Sequence, residues 1–318
     1  MRAIAAVLFM AFSFAVSAQQ YPTKPARLVI PYPPGGVDIT ARLLMPTVEK
    51  ELGQPWIVDY RSGASGTIGH DHTAKSAPDG YTLDMVVGFT WVIQPAVRKN
   101  APYDPIKDFT PISLLIEPLG VIVANNNFPP KDIKELIDYA KKNPGKVAFG
   151  SSGIGAAAHL TTELFKQTTG TDMLHVPYKG TAPALTGLMG SDIQILVDVP
   201  STLMPHVRGG KIKALAMFST KRVPGAQEVP TMAEAGGPPI ESSTWLLFLA
   251  PAGTPREIVN RLSSETDKVL GSTGIRTRFD TLGIFPGGGT PERAAQFLND
   301  EIARWAKVIK TAGVKADD

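Results

Sequence analysis

Short apolar runs rich in β-branched residues recur along this chain, separated by turn residues. They fall at 28–30, 56–58, 83–87, 112–116, 121–124, 147–149, 174–176, 193–199, 214–218 and 246–250. Runs of this length and composition read as buried strands. Helical spacing appears between many of them. Ile39, Leu43, Val48 and Leu52 keep one face, with Pro46 expected to kink it. Ile133, Leu136, Ile137 and Ala140 form a second face between Pro129-Pro130 and Pro144, and Leu160 and Leu164 mark a third. Thr254-Pro255-Arg256-Glu257 has the form of a capping box with proline at the first helical position. Thr290-Pro291-Glu292 opens a last helix with Leu298, Ile302, Trp305 and Ile309 on one side. Alternating strands and helices predict α/β architecture with mostly parallel sheets.

Two segments share one plan. The first passes from Leu28-Val29-Ile30 through Pro31-Tyr32-Pro33-Pro34-Gly35-Gly36 to Asp38-Ile39-Thr40-Ala41. The second passes from Val147-Ala148-Phe149 through Gly150-Ser151-Ser152-Gly153-Ile154-Gly155 to Ala156-Ala157-Ala158-His159. Each reads as strand, glycine-rich turn and helix start. The first turn of a helix has unpaired N–H groups and a positive dipole end, so it attracts anions. Glycine allows a ligand to approach that backbone. Two such sites in different halves of the chain predict a small anion held between two lobes.

The lobes are expected to interleave. Apolar stretches at 114–124 and 244–250 read as crossings. A second lobe of residues 121–243 is then inserted into a first lobe of residues 19–120 and 244–318.

The chain of 318 residues carries 43% hydrophobic residues and a formal charge of +3. This balance and the lack of a dense basic run exclude nucleic-acid binding as the expected activity. Arg2, an apolar stretch at 4–16 and the small residues Val16-Ser17-Ala18 read as a signal peptide of residues 1–18, giving export to the periplasm with Gln19 first. With no cysteine there is no disulfide and no thiolate metal site.

Catalytic signatures are weak. No Gly-x-Ser-x-Gly elbow exists, and His159 lies seven residues beyond Ser152. A hydrolase built on Ser152, His159 and Asp198 is the rival reading. His159 itself reads as a helix histidine bonded to a nearby loop. His70 and His72 lack further ligands for a metal and read as a solvated loop. Met189, Met204 and Met217 read as core filler. Asp38 and Arg42 are spaced for an i,i+4 ion pair, and Asp38 is also placed to cap the loop or order a water.

Several further segments occur in a specific order. They are Tyr32-Pro33-Pro34-Gly35-Gly36, Leu52-Gly53-Gln54-Pro55, Gly63-Ala64-Ser65-Gly66-Thr67-Ile68-Gly69 and Ala77-Pro78-Asp79-Gly80-Tyr81-Thr82-Leu83. Then come Pro102-Tyr103-Asp104-Pro105, Asp108-Phe109-Thr110-Pro111, His175-Val176-Pro177-Tyr178-Lys179-Gly180, Val229-Pro230-Thr231 and Glu234-Ala235-Gly236. On these segments the chain resembles the solute receptors of the tripartite tricarboxylate transporter group, also called Bug or TctC-like receptors. The resemblance spans the chain beyond the signal segment. It implies a two-lobed, type II periplasmic-binding fold with a carboxylate ligand in the cleft. It also implies no catalysis, no cofactor and no metal, with the permease subunits of a tripartite transporter as partners and a monomeric state. A receptor that signals to a membrane kinase is a further rival. The residues implied for the ligand site are Tyr32, Gly35, Gly36, Asp38, Ser65 and Thr90 from the first lobe. From the second they are Ser151, Ser152, Gly155, His159, Tyr178, Lys179 and Asp198. The loop Gly35-Gly36-Val37-Asp38 is one residue shorter than the family's usual Gly-Gly-Gly-Thr-Asp. Phe89-Thr90-Trp91 is bulkier than the family pattern and is expected to narrow or aromatise the pocket.

Overall fold

The computed structural model describes residues 21–32, 34, 36–97, 101–242 and 244–313. The expected signal segment and Gly35 lie outside these. The strands in chain order are β1 (Ala26–Ile30), β2 (Trp56–Tyr60), β3 (Thr82–Val87), β4 (Phe109–Leu119) and β5 (Val121–Asn125). They continue with β6 (Ala148–Ser151), β7 (Leu174–Pro177), β8 (Ile195–Asp198), β9 (Ile212–Met217) and β10 (Thr244–Pro251). The helices are α1 (Gly36–Leu52), α2 (Thr67–Ala74), α3 (Gly88–Val97), α4 (Ile133–Lys142) and α5 (Ala157–Thr169). After these come α6 (Thr181–Met189), α7 (Pro200–Arg208), α8 (Arg256–Gly271), α9 (Thr273–Leu282) and α10 (Pro291–Ala312).

Two sheets of the same design result. The first has the order β2-β1-β3-β10-β4 and the second β7-β6-β8-β5-β9. In each, the first three strands are parallel, and the fourth runs antiparallel to both neighbours. The antiparallel strand is the one that crosses from the other sheet: β5 enters after Gly120 alone, and β10 returns. Helices cover both faces, as sheets with buried strands require. Leu28, Leu44 and Phe248 belong to the core on one face of the first sheet; Trp91, Trp245 and Leu247 belong to the core on the other. The second sheet has two equivalent cores around Phe149 and Leu196. A fifth cluster joins the lobes, with Phe89 and Ile93 of α3, Leu160 of α5, and Trp305 and Ile309 of α10.

Local expectations differ from the fold in four places. Helix α1 continues through Pro46 and buries Val37, Ala41, Leu44, Met45 and Val48, while Ile39 is 50% exposed. Val48 and Leu52 are buried as expected, Leu43 is half-buried, and Val37, Ala41, Leu44 and Met45 join the stripe while Ile39 leaves it, because the helix packs against its own sheet and α8. His70 and His72 lie in α2 rather than a solvated loop, and His70 is wholly buried. The box at Thr254 does not form. Its hydroxyl donates to the Pro251 carbonyl at 2.8 Å, and Pro255 is the residue before α8. Thr290 does cap α10, accepting from the Arg293 N–H at 3.3 Å. Met204 and Met217 are core residues, but Met189 at the end of α6 is exposed.

Candidate functional site

Parallel strands leave their C-terminal ends on one edge of a sheet, and open α/β sheets bind ligands outside that edge. In the first sheet those ends lead to Tyr32 after β1, to the turn Ala64–Gly66 after β2, and to Thr90 after β3. In the second, β6 and β8 end on Ser151 and Asp198, and Tyr178 follows β7. Sheet topology thus gathers residues far apart in sequence.

The first-lobe side is built largely from residues already engaged within that lobe. Arg42 Nε donates to Asp38 Oδ2 at 2.8 Å, and the Tyr60 hydroxyl donates to Oδ1. Arg42 first, then Tyr60, hold the Asp38 carboxyl below its ordinary value. Asp38 is therefore an anchor of the helix start, and both of its oxygens are occupied. Gly36 opens α1, and Ser65 lies in the short turn before α2. Phe89 and Trp91 do not narrow the pocket. Phe89 packs edge-on against Trp305 at 4.8 Å, and Trp91 against Phe109 at 5.3 Å, so both rings leave the cleft for the cores. Thr90 between them stays half-buried. The Tyr32 hydroxyl is buried beside it, and burial drives its phenol upward.

The second loop is braced by two histidines. The Gly155 N–H donates to His159 Nδ1 at 3.0 Å. Ser151 Oγ lies 2.6 Å from His175 Nε2, 2.9 Å from the Gly153 carbonyl and 3.2 Å from the Gly153 N–H. One arrangement satisfies all three contacts: the hydroxyl donates to Gly153, while His175 Nε2–H and the Gly153 N–H donate to Oγ. The two imidazoles stack at 3.8 Å with 8° between their planes, and Phe149 stacks on His175 at 4.9 Å. Burial, and for His159 the neighbouring His175, lower their pKa values to about 3 for His159 and about 4 for His175. Both are neutral at pH 7, as the hydrogen bond into His159 Nδ1 requires. Gly155 has φ +74, a conformation that favours glycine, and a Cβ there would lie 3.8 Å from Ile93 of α3. The second loop therefore reaches the first lobe.

Ser151 is fully buried, and its hydroxyl is engaged in shaping the loop. Ser152 is exposed and Tyr178 half-buried. Asp198 accepts from the Thr181 hydroxyl at 2.6 Å and from the Val199 N–H at 2.7 Å. Burial pushes its carboxyl up, against those two hydrogen bonds. The Ser152, His159 and Asp198 side chains form no triad, since His159 and Asp198 are bonded elsewhere. Lys179 is exposed. His175 and Thr181 were missed in the sequence. His175 stands in a segment that carries the resemblance, but its role and that of Thr181 depend on Ser151 and Asp198, which only the fold brings near.

One electrostatic feature unites the second-lobe edge. Helices α5, α6 and α7 all begin there, after Ala156, Gly180 and Val199, and none has a side-chain cap. By contrast, Asp132 caps α4. Three first turns thus keep unpaired N–H groups near one another. A cavity of about 300 Å³ lies between the lobes, bounded by Val37 and Thr40 of α1, Val87, Asp198, Val199 and Leu246. None of its lining residues is Lys, Arg or His.

The family model for the tripartite tricarboxylate transporter family receptor matches residues 40–314. The chain belongs to this family. It is 38% identical to BugT of Bordetella pertussis over 94% of this chain and 93% of that protein. Among solved structures it is similar to R. palustris Rpa4515 with adipate, at 36% identity and TM-score 0.79, covering 93% and 99% of the two chains. It is also similar to MatC from Rhodopseudomonas palustris with bound malate, at 32% identity and TM-score 0.73, covering 91% and 100%. The chain has the two-lobed fold of these periplasmic solute-binding receptors, which are binding proteins rather than enzymes. No helix among the described residues is long and apolar enough to cross a membrane.

Proposed function

We propose that this receptor captures a small organic carboxylate between its lobes and delivers it to the permease subunits of a tripartite transporter. The observation that carries this reading is the convergence of three uncapped helix starts at the second-lobe edge, with the exposed Lys179 just before α6 as a neighbouring cation. A helix start favours an anion by roughly 0.3–1 kcal/mol, up to about 2 when partly buried. A charge-assisted hydrogen bond adds roughly 1.5–3 kcal/mol. Three or four such contacts reach the roughly 8 kcal/mol of a micromolar complex. The adipate and malate bound by similar receptors belong to this ligand class.

The lobes in this reading are residues 19–120 with 244–318, and residues 121–243. The chain acts as a monomer in the periplasm after loss of residues 1–18. Gly36, Ser65, Thr90, Ser152, Gly155, Tyr178 and Asp198 line the ligand. Ser151, His159 and Asp38 hold the loops that do so. Lys179 guards the rim.

Thermal-shift screening of carboxylic acids against their neutral amides tests this directly. Acids are expected to raise the melting temperature and amides to leave it unchanged. Gly155→Pro is expected to abolish the shift, since it removes the N–H held by His159 and the positive φ. Equal stabilisation by the amides would refute the carboxylate grip.

A further inference from the structure

Beneath Tyr32 lies a buried polar group that the receptor reading leaves unused. His70 of α2 and Asp84 of β3 are both fully buried, and His70 Nδ1 lies 2.9 Å from Asp84 Oδ2. A carboxylate oxygen accepts, so Nδ1 is the donor of this pair, and in the tautomer with a single ring proton Nε2 keeps a lone pair. That Nε2 and the Thr67 hydroxyl are buried and have no hydrogen-bond partner among the described residues, and the buried Tyr32 hydroxyl has Thr90 and the Val87 backbone beside it. Nε2 and the Tyr32 hydroxyl converge on one place. A Cβ on Gly66 would lie 2.8 Å from Nε2 and 3.1 Å from the Tyr32 oxygen. The two rings meet edge to face at 6.2 Å. Thr67 is the next residue in the chain. Two orphaned polar atoms and a tyrosine hydroxyl with bonding capacity left around one turn are the setting in which a buried water is held.

We propose that Asp84 sets a one-way hydrogen-bond relay ending at the cleft, and that the relay selects carboxylates bearing a hydroxyl or amino donor. His70 donates to Asp84. Tyr32 donates to one internal water, which donates to His70 Nε2 and Thr67. Thr90, beside the Tyr32 hydroxyl, donates to Tyr32 and turns its lone pairs to the cleft. Networks of this kind polarise along their length. At Thr90 a ligand then meets an acceptor, so its carboxylate goes to the second-lobe helix starts and its donor group to Thr90. The proposal rests on the receptor reading, because a ligand must occupy the cleft beside Thr90.

Two measurements test it. Nitrogen-15 NMR of the histidine rings needs no ligand: His70 is expected to show a protonated Nδ1 and a bare Nε2 at neutral pH. Titration calorimetry then compares 3-hydroxybutyrate with butyrate and malate with succinate. The hydroxy acid of each pair is expected to bind about tenfold more tightly, the size of one hydrogen bond. In His70→Leu that gap is expected to shrink to about threefold or less, with the deoxy acids little changed, and in Tyr32→Phe the gap is expected to shrink as well; a merely structural role would weaken both members equally. A proton on His70 Nε2, or deoxy acids binding as well as hydroxy acids in the unmodified protein, would overturn the proposal. Failure of every acid to bind, with Nε2 bare, would overturn the carboxylate reading instead, because the tautomer is read without ligand.

Discussion

His159 and His175 show how a residue acquires a role that its neighbours in sequence do not announce. His159 was legible as a loop-bonding histidine, since it stands four residues after Gly155 on a helix start. His175 was not, because Ser151 meets it only through the parallel pairing of β6 with β7. Their lowered pKa values have a consequence for stability. In the unfolded chain both take the ordinary value of 6.5, while in the fold they sit near about 3 and about 4. The unfolded state therefore binds more protons below pH 6.5, and stability falls as pH falls. The contribution is fully present above pH 6.5 and is lost progressively towards the folded values. Each histidine contributes a slope of at most about 1.4 kcal/mol per pH unit in that window. Urea unfolding between neutral and acid pH is expected to show it, and His159→Gln to flatten it. A flat profile in the unmodified protein would mean that the imidazoles are charged in the fold.

At the scale of elements, one buried carboxylate ties α10 to the first sheet beside the apolar packing of Ala294 and Leu298. Glu301 is buried, and its Oε2 accepts from the Trp245 indole of β10 at 2.8 Å and from the Trp305 indole at 2.9 Å. Glu301→Leu would strand two buried N–H donors, each costing roughly 1–3 kcal/mol. A loss of about 2–5 kcal/mol in denaturant unfolding is expected, with secondary structure retained in the native state; a loss under about 0.5 kcal/mol would show that water replaces the carboxylate. Helix α10 was predicted from its cap and its stripe, both of which are local. The apparent box before α8 was not realised, because the Thr254 hydroxyl finds the Pro251 carbonyl at the end of β10 instead. Tertiary geometry there outweighs a motif worth about 1 kcal/mol.

At the scale of the molecule, the lobes share strands that cross between them and one apolar cluster, where Leu160 of α5 meets Phe89, Ile93 and Trp305. On the proposed reading, a closing motion is expected to turn about that cluster, since separating it would expose wholly buried rings. A carboxylate held at the second-lobe edge would then gain contacts as the first lobe approaches, and closure is the expected response. Solution scattering with a stabilising acid is expected to give a smaller radius of gyration than without it. An unchanged profile at saturation would mean that capture proceeds without closure.

The strands, the alternation of strand and helix, and the second glycine turn were readable in the sequence, because each depends on residues close in the chain. The absence of capping side chains at Ala156, Gly180 and Val199 was written there too. What the tertiary structure alone decided is where those starts point and which polar groups are already taken. Ser151 is silenced by His175, Asp38 by Arg42 and Tyr60, and Asp198 is partly engaged by Thr181. Phe89 and Trp91 turn away into cores, and His70 finds Asp84 on the adjacent strand. Such pairings depend on strand register and on which face of a helix meets its sheet. Neither has a period along the chain, so both become visible only when distant segments pack.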